Sequence, residues 1–289
     1  MKKYRLVALA VTVAVPGTAL AEVSGSIDFS YSVFDSNVYG DSFTSPSLKA
    51  DLSYGGESGL LLDLSAGTKR YMLDGIDLDV NEANIDLGYA FGNGFNAGIF
   101  AESFSFGVDV ASRGVFAGYD AGNFAGEAYF GTMESPFGED FNQFGFRGTY
   151  SLGGNTDFAA EVARTTFDDF DEDVDYLGLS VSHKLNDTFG VFGSVQRLSG
   201  AFDEDLTAVS LGGSYTLSNG MSIALEVARF KQDVFEVDTA TLGFSIPLGG
   251  KSNSVSPADG VAADVAGGSR GAYSKVLKDY SFLLDLGEG

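Results

Sequence analysis

Residues 84–101 show the pattern on which most of the chain is built. In NIDLGYAFGNGFNAGIFA, apolar side chains at every second position from Ile85 to Phe91 alternate with small or polar ones, which is the period of a β-strand. Residues 92–94 then supply Gly-Asn-Gly, which tolerates the positive φ of a tight reversal, and the alternation resumes at Phe95. The pattern predicts a β-hairpin with one apolar and one polar face.

This hairpin recurs along the chain, with turn signals spaced roughly thirty residues apart, the length of two membrane-spanning strands. The short turns fall at 55–57, 92–94, 121–123, 153–155, 186–187 and 218–220. Longer, acidic connections alternate with them at 35–44, 71–81, 106–109, 133–140, 167–173, 199–205 and 232–236. Alternating short turns and longer loops are typical of outer-membrane barrels.

The predicted fold is all-β: a transmembrane antiparallel up-and-down β-barrel of about fourteen strands, with 16 or 12 as alternatives. Its strands are expected near 23–33, 47–54, 59–68, 82–91, 95–105, 110–120, 123–132, 141–152, 156–166, 175–185, 188–198, 206–217, 221–230 and 237–248. A soluble β-sandwich or β-solenoid is the competing interpretation. The barrel is favoured because aromatic residues flank the short turns on the apolar face, as in a membrane girdle, and because closure leaves no exposed sheet edge.

The two ends of the chain differ from the repeating part. Residues 1–21 combine basic residues, a short apolar core and Ala19-Leu20-Ala21, which predicts an export signal peptide. The mature chain is then expected to begin at Glu22. Its residues 22–249 are predicted to form the barrel. Residues 250–289 are predicted to form a periplasmic tail, with a Ser/Ala/Gly/Asp linker before a more apolar stretch at 272–286. That stretch is a disordered end, a plug of the lumen, or a latch or partner site.

Charge narrows the range of partners. The chain has 17 Lys+Arg against 40 Asp+Glu, a formal net charge of −23, which argues against nucleic acid. Within the strands, the polar face carries more carboxylates than basic residues, and Lys69 is one of those basic residues. A water-filled lumen that favours cations is therefore expected. The predicted pore-lining residues are Asp28, Lys49, Asp51, Asp63, Asp86, Glu102, Glu127, Arg147, Glu161, Lys184 and Glu226.

A second set of arginines follows the apolar phase near the loop ends of the strands. These are Arg70, Arg113, Arg164, Arg197 and Arg229. Guanidinium groups at the membrane interface bind phosphate bidentately, so contact with lipopolysaccharide is predicted; snorkelling to the headgroups is the alternative.

Catalytic and metal motifs are weak. The single histidine, His183, follows the lipid-facing phase, and its spacing supports no Ser-His-Asp arrangement. The acidic stretches 168–173 and 203–205 are better explained as solvated loops than as calcium sites. We therefore expect no enzyme activity, no cofactor and no metal site.

The signal peptide, the Glu22-Val-Ser-Gly start, the Gly/aromatic hairpins and the last strand at 239–248 together resemble the Gram-negative porins, especially those of α-proteobacteria. The resemblance implies an outer-membrane diffusion channel for small hydrophilic solutes and ions, surrounded by lipid and lipopolysaccharide, as a monomer or homotrimer. The short connection at 106–109 and the strand count depart from the classical pattern. A structural or surface-interaction barrel with a blocked lumen and, behind it, an outer-membrane hydrolase remain alternatives.

Overall fold

Each strand of the protein is hydrogen-bonded to its neighbours in sequence, and the last strand returns to the first. The computed structural model describes residues 22–37, 42–56, 59–73, 76–105, 109–134, 140–167, 173–200, 205–233, 235–249, 256–265 and 267–279. The strands are β1 (Glu22–Ser36), β2 (Ser42–Gly55), β3 (Leu60–Leu73), β4 (Ile76–Ala90), β5 (Phe95–Ser105), β6 (Asp109–Asp120), β7 (Phe124–Glu134), β8 (Asp140–Leu152), β9 (Thr156–Thr166), β10 (Asp173–Lys184), β11 (Phe189–Ser199), β12 (Leu206–Thr216), β13 (Ser222–Gln232) and β14 (Phe235–Leu248). The predicted fourteen-stranded antiparallel barrel is confirmed.

Closure depends on the pairing of β1 with β14. The two strands run antiparallel, from Gly25 opposite Leu248 to Ser36 opposite Val237. Because every strand then has two partners, the backbone donors and acceptors of the sheet are satisfied within the wall. The barrel is therefore complete at Leu248, before the tail begins.

The outward face is apolar and has an aromatic band beside the short turns. Exposed side chains of this band are Phe91, Phe95, Tyr119, Phe124, Tyr150, Phe158, Phe189 and Tyr215. Neighbours such as Phe95 and Tyr119 pack with their ring centroids 4.7 Å apart. Aromatic rings at one rim of a barrel are typical of a membrane–water interface.

At the opposite, loop-side end, the inward positions are also apolar. We call these residues the loop-side apolar layer. Every strand except β9 contributes one, each 6 % exposed or less: Phe34, Phe43, Tyr71, Val80, Phe104, Val110, Met133, Phe141, Val174, Leu198, Leu206, Phe230 and Val237. The expectation of a polar inner face therefore does not hold at this layer.

Some predicted loops are strand. β3 continues to Leu73 and β4 starts at Ile76, so the connection expected at 71–81 is almost entirely paired. Asp77 and Asp79, two of the acidic residues that suggested a loop, are exposed on β4, and Asp79 pairs with Arg70 on the outer face. Tyr71 and Val80, on the same stretches, point inward into the loop-side apolar layer.

Two short helices follow the barrel, α1 (Val261–Asp264) and α2 (Ala272–Asp279). Among the described residues, no helix has the length and apolar character needed to cross a bilayer. The predicted signal peptide, residues 1–21, lies outside the described residues.

Candidate functional site in the barrel lumen

The described parts of the tail between residues 256 and 275, 256–265 and 267–275, lie against the inner wall, and we call them the lumen segment. Pro257 approaches Gly243 of β14 so closely that a Cβ added to the glycine would lie 2.7 Å from the Cβ of Pro257. The backbone N–H of Ala262 donates to Glu226 of β13 at 2.9 Å. The N–H of Tyr273 donates to the hydroxyl of Thr165 of β9 at 3.1 Å.

Arg270 is the most heavily bonded residue of the lumen segment. Its guanidinium donates to Asp86 at 2.6 Å, to Glu127 at 3.0 Å and to Glu102 at 3.2 Å. Its backbone N–H also donates to Glu102, at 3.1 Å. The side chain is only 3 % exposed, so these charge-assisted hydrogen bonds replace its water shell.

Two aromatic rings complete the surroundings of Arg270. The guanidinium carbon lies 4.5 Å from the ring centre of Phe100 and 5.4 Å from that of Phe116, which are cation–π distances. Burial by itself lowers the pKa of Arg270, but the hydrogen bonds to Asp86 and the charges of Glu127 and Glu102 outweigh it and raise the pKa above its ordinary value. Arg270 is therefore cationic at every physiological pH.

Lys275 makes a second buried ion pair. Its ammonium lies 3.0 Å from Glu161, and the two side chains are 1 % and 0 % exposed. The ammonium also donates to the carbonyl of Asp264 at 2.8 Å and lies 4.6 Å from the ring centre of Tyr176. Tyr129 donates to the other oxygen of Glu161 at 3.1 Å. The pair is thus desolvated yet well supplied with polar partners.

A third ion pair lies near the start of the lumen segment, where Lys69 of β3 contacts Asp259 at 3.0 Å. A cavity of about 30 Å³ remains between wall and segment, lined among others by Lys49, Glu82 and Asp264. A cavity needs roughly 10–15 Å³ to hold one water molecule, so this one has room for a few at most. The segment therefore fits the wall closely here.

Comparison with known proteins adds the family to this geometry. The family model described as Gram-negative porin matches residues 59–201, which span β3 to β11. The chain is a porin-like outer-membrane β-barrel. Proteins of this class are outer-membrane channels. No curated protein is detectably similar to the chain in sequence.

Solved structures agree with this porin-like fold. An anion-selective porin from Comamonas acidovorans superposes with a TM-score of 0.55 at 12 % identity, covering 79 % of this chain and 99 % of that one. The CymD monoaromatic hydrocarbon channel gives 0.52 at 10 % identity, covering 81 % and 90 %. The TodX deltaS2S3 mutant monoaromatic hydrocarbon channel gives 0.50 at 12 % identity, covering 80 % and 91 %. Similarity at such identities establishes a shared fold only. Any solute has to be argued from the chemistry of the lumen.

The predicted pore-lining residues of this porin-like barrel separate into two groups. One group contacts the lumen segment: Asp86, Glu102, Glu127, Arg147, Glu161 and Glu226. In the other, Lys49 pairs with Asp51 at 3.6 Å, Asp28 accepts from Ser26 at 2.5 Å, Asp63 is exposed and Lys184 is half-buried. Their role in conduction stays a prediction.

Sequence reasoning missed Arg270 and Lys275. Arg270 is separated from its wall carboxylates by 143 to 184 positions. Lys275 is separated from Glu161 by 114 positions (275 − 161). The wall residues lie on β4, β5, β7 and β9, far from the tail in sequence. The only local signal is a basic residue set among Gly and Ser at 267–271 in a strongly acidic chain.

The outward arginines all pair with carboxylates that lie on the adjacent strand or, for Arg197, directly before it. Arg164 donates to Asp175 at 2.6 and 2.7 Å, and Arg229 to Asp238 at 2.7 and 2.8 Å. The remaining pairs are Arg70–Asp79, Arg113–Glu134 and Arg197–Asp205. Hydrogen bonds from Arg197 and Ser199 lower the pKa of Asp205, which lies outside the strands. Contact with lipopolysaccharide, which stays a prediction, would have to compete with these carboxylates.

Nδ1 of His183 forms a hydrogen bond with the hydroxyl of Thr156, at 2.8 Å, on the exposed outer face of β9 and β10. Within the described ranges, no group of three or more His, Asp or Glu residues is arranged to hold a metal ion. Most of the acidic stretches 168–173 and 203–205 falls outside those ranges.

The position of the lumen segment can be tested by a disulfide, because the chain has no native cysteine. In a Gly243→Cys, Pro257→Cys variant, the two Cβ atoms need to separate by about 1 Å to reach disulfide geometry. We expect oxidation to join them in the folded barrel, detected by mass spectrometry of the linked peptides. The single variants are the controls, and free thiols in the folded, oxidised double variant would contradict the position of the segment.

Proposed function

We propose that the protein is a passive diffusion channel for small hydrophilic solutes and ions, mildly cation-preferring, in which the lumen segment is a plug. The observation that carries this is the pair of buried cations, Arg270 and Lys275, which bind carboxylates of the inner wall. A barrel of the porin-like class supplies the channel, and the segment occupies its lumen. Outer-membrane lipid and lipopolysaccharide are its proposed surroundings, as a monomer or homotrimer.

The cation preference rests on the chemistry of the wall. Asp86, Glu102 and Glu127 lie on β4, β5 and β7 and all contact Arg270, with Arg147 as the wall cation beside Glu127. Without the lumen segment this group would carry an excess of negative charge, which lowers the entry barrier for cations. The Comamonas acidovorans porin is described as anion-selective, and its similarity to this chain lies in the fold, which does not determine the sign of the lumen charge.

The bound and released states of the plug are both physically accessible. In the bound state, Glu161 has exchanged water for Lys275 and Tyr129. In the released state, water would enter the lumen and solvate the same carboxylate. A buried ion pair gains little net free energy over its solvated partners, although removing only one partner costs about 3–5 kcal/mol. The plug is therefore held by charge pairing that solutes and ions can disturb.

The lumen segment also reaches the loop-side apolar layer. The ring of Tyr273 lies edge-on to Phe141, with centroids 5.8 Å apart, and to Phe167, at 5.2 Å. An apolar constriction opposes ion passage by excluding water. Plug and layer would thus act as two barriers in series.

A structural or surface-interaction barrel with a permanently blocked lumen is the second candidate. The same burial of Arg270 and Lys275 favours it. The two candidates differ in whether weakening the plug produces ion flow.

Replacing Arg270 and Lys275 together by Ala tests the proposed function. We expect the equilibrium between bound and released segment to shift by at least about two orders of magnitude, because unpaired buried carboxylates must recover water. Limited proteolysis should then cut the tail faster, and planar-bilayer conductance should rise. Arg70→Ala, which removes an exposed ion pair from the outer face, is the matched control. Faster cutting without any conductance would favour the blocked barrel.

A further inference from the structure

We propose that the wall cradle around Arg270 is a binding site for organic cations that carry a guanidinium group, and that Arg270 occupies it as a built-in competitor. The cradle consists of the carboxylates Asp86, Glu102 and Glu127 and the rings of Phe100 and Phe116. The inference rests on the proposed function, since it names the class of solute that the channel binds.

The hydrogen-bond pattern is that of guanidinium recognition. Two nitrogens of Arg270 contact both oxygens of Asp86, at 3.0 and 2.6 Å. Two nitrogens likewise contact both oxygens of Glu127, at 3.0 and 3.3 Å. Paired N–H groups in a fixed plane match paired carboxylate oxygens, which a spherical ion or a quaternary ammonium cannot do.

The aromatic rings are built into the wall. A Cβ added at Gly98 would lie 2.5 Å from the ring of Phe116, and one at Gly114 would lie 2.6 Å from the ring of Phe100. A Cβ at Gly131 would also press on Phe100, at 2.8 Å. These glycines therefore leave the space in which the rings lie and reach the guanidinium. The rings are a second feature, independent of the carboxylates, that favours a flat cation.

The cradle belongs to the barrel and not to the tail. Its members lie on four successive strands, β4 to β7, whose pairing is continuous. Arg147, the adjacent wall cation, lies 3.0 Å from Glu127. Removal of Arg270 takes away the ion pairs of Asp86 and Glu102. A vacated cradle therefore keeps an excess of carboxylate and needs a cation.

The Lys275 position differs and serves as the internal comparison. It offers one carboxylate, Glu161, and one ring, Tyr176, to a compact ammonium. Nothing there matches a forked donor. Guanidinium selectivity is therefore expected of the Arg270 cradle alone.

The test is a calorimetric titration. Methylguanidinium is added to the full-length Arg270→Ala variant in detergent, and the heat of binding is measured. We expect saturable binding at least tenfold tighter than that of tetramethylammonium, and at least tenfold tighter than methylguanidinium binding to the unsubstituted chain. Lys275→Ala is the matched control, because it removes the other buried cation and leaves the cradle filled. In the Arg270→Ala background, adding Glu102→Gln should weaken binding at least tenfold.

Failure to bind, or equal binding of the two cations, overturns the proposal. Retarded mobility on boiling establishes that each variant is a folded barrel before titration. A Phe100→Leu change in the Arg270→Ala background keeps every charge, and unchanged selectivity there would remove the aromatic rings from the site. Potassium conductance, recorded separately, distinguishes failure of the proposed site from failure of the proposed function. Conduction without methylguanidinium binding overturns the site alone. Binding without conduction overturns the proposed channel function.

Discussion

A chain that ends at residue 251 should pass ions and small sugars severalfold faster than the chain that continues to Gly289. The truncated chain keeps the whole wall, because β14 ends at Leu248 and is already paired with β1. It lacks the whole lumen segment, including Arg270 and Lys275, whose ion pairs hold that segment against the wall in the full chain. Liposome swelling in neutral sugars of increasing size measures the effect without interference from lumen charge.

The matched control is a chain ending at residue 279, which retains the lumen segment and α2. It should swell liposomes at the rate of the full chain. Heat-dependent gel mobility shows whether each chain has closed its barrel. Loss of folding on truncation at residue 251 would show that the tail is required to form the wall, contrary to the completed pairing of β14.

The second large effect concerns ion selectivity. In the chain truncated at residue 251, changing Glu102, Glu127 and Glu161 to Gln should sharply reduce the preference for potassium over chloride. These side chains lie on the inner wall of β5, β7 and β9. At about 0.01 M salt the Debye length is about 30 Å, so each charge acts across the lumen, and the preference should fade as salt rises. The reversal potential across a KCl gradient measures it.

The truncated background is necessary because these three carboxylates also hold the plug. In the full chain, neutralising them would remove the partners of Arg270 and Lys275 and change conductance and selectivity together. The matched control changes Asp79, Asp175 and Asp238 to Asn, which removes three charges from the outer face. Its reversal potential should equal that of the truncated chain. Anion preference in the truncated chain would contradict the proposed lumen chemistry.

The wall of the barrel could be predicted because its information is local. Alternation of period two identifies strands, and pairs of Gly and Asn identify turns, so residues 84–101 suffice to define one hairpin. The same phase separates Glu102 from Arg113 correctly, the first buried and the second exposed.

The loop-side ends could not be predicted in the same way. Between 71 and 81 the acidic residues suggested a loop, but Asp79 lies opposite Arg70 across β3 and β4. Charge there signals a cross-strand pair instead of a turn. The inward apolar residues of the same stretches, Tyr71 and Val80, were hidden because one residue per strand carries no periodic signal of its own.

The cradle around Arg270 lay beyond sequence reasoning for a different reason. The arginine and its carboxylates are separated by 143 to 184 positions, and no local pattern encodes a contact of that range. Only the position of the tail inside the barrel brings them together.

Block of the truncated channel by its missing segment is the most direct test of the plug. A synthetic peptide of residues 256–279 would be added during single-channel recording of the chain that ends at residue 251. We expect closures whose frequency rises with peptide concentration, and far fewer with a peptide in which Arg270 and Lys275 are replaced by Ala. Uninterrupted conduction with the unsubstituted peptide, or equal block by both peptides, would contradict a plug held in the lumen by these two cations.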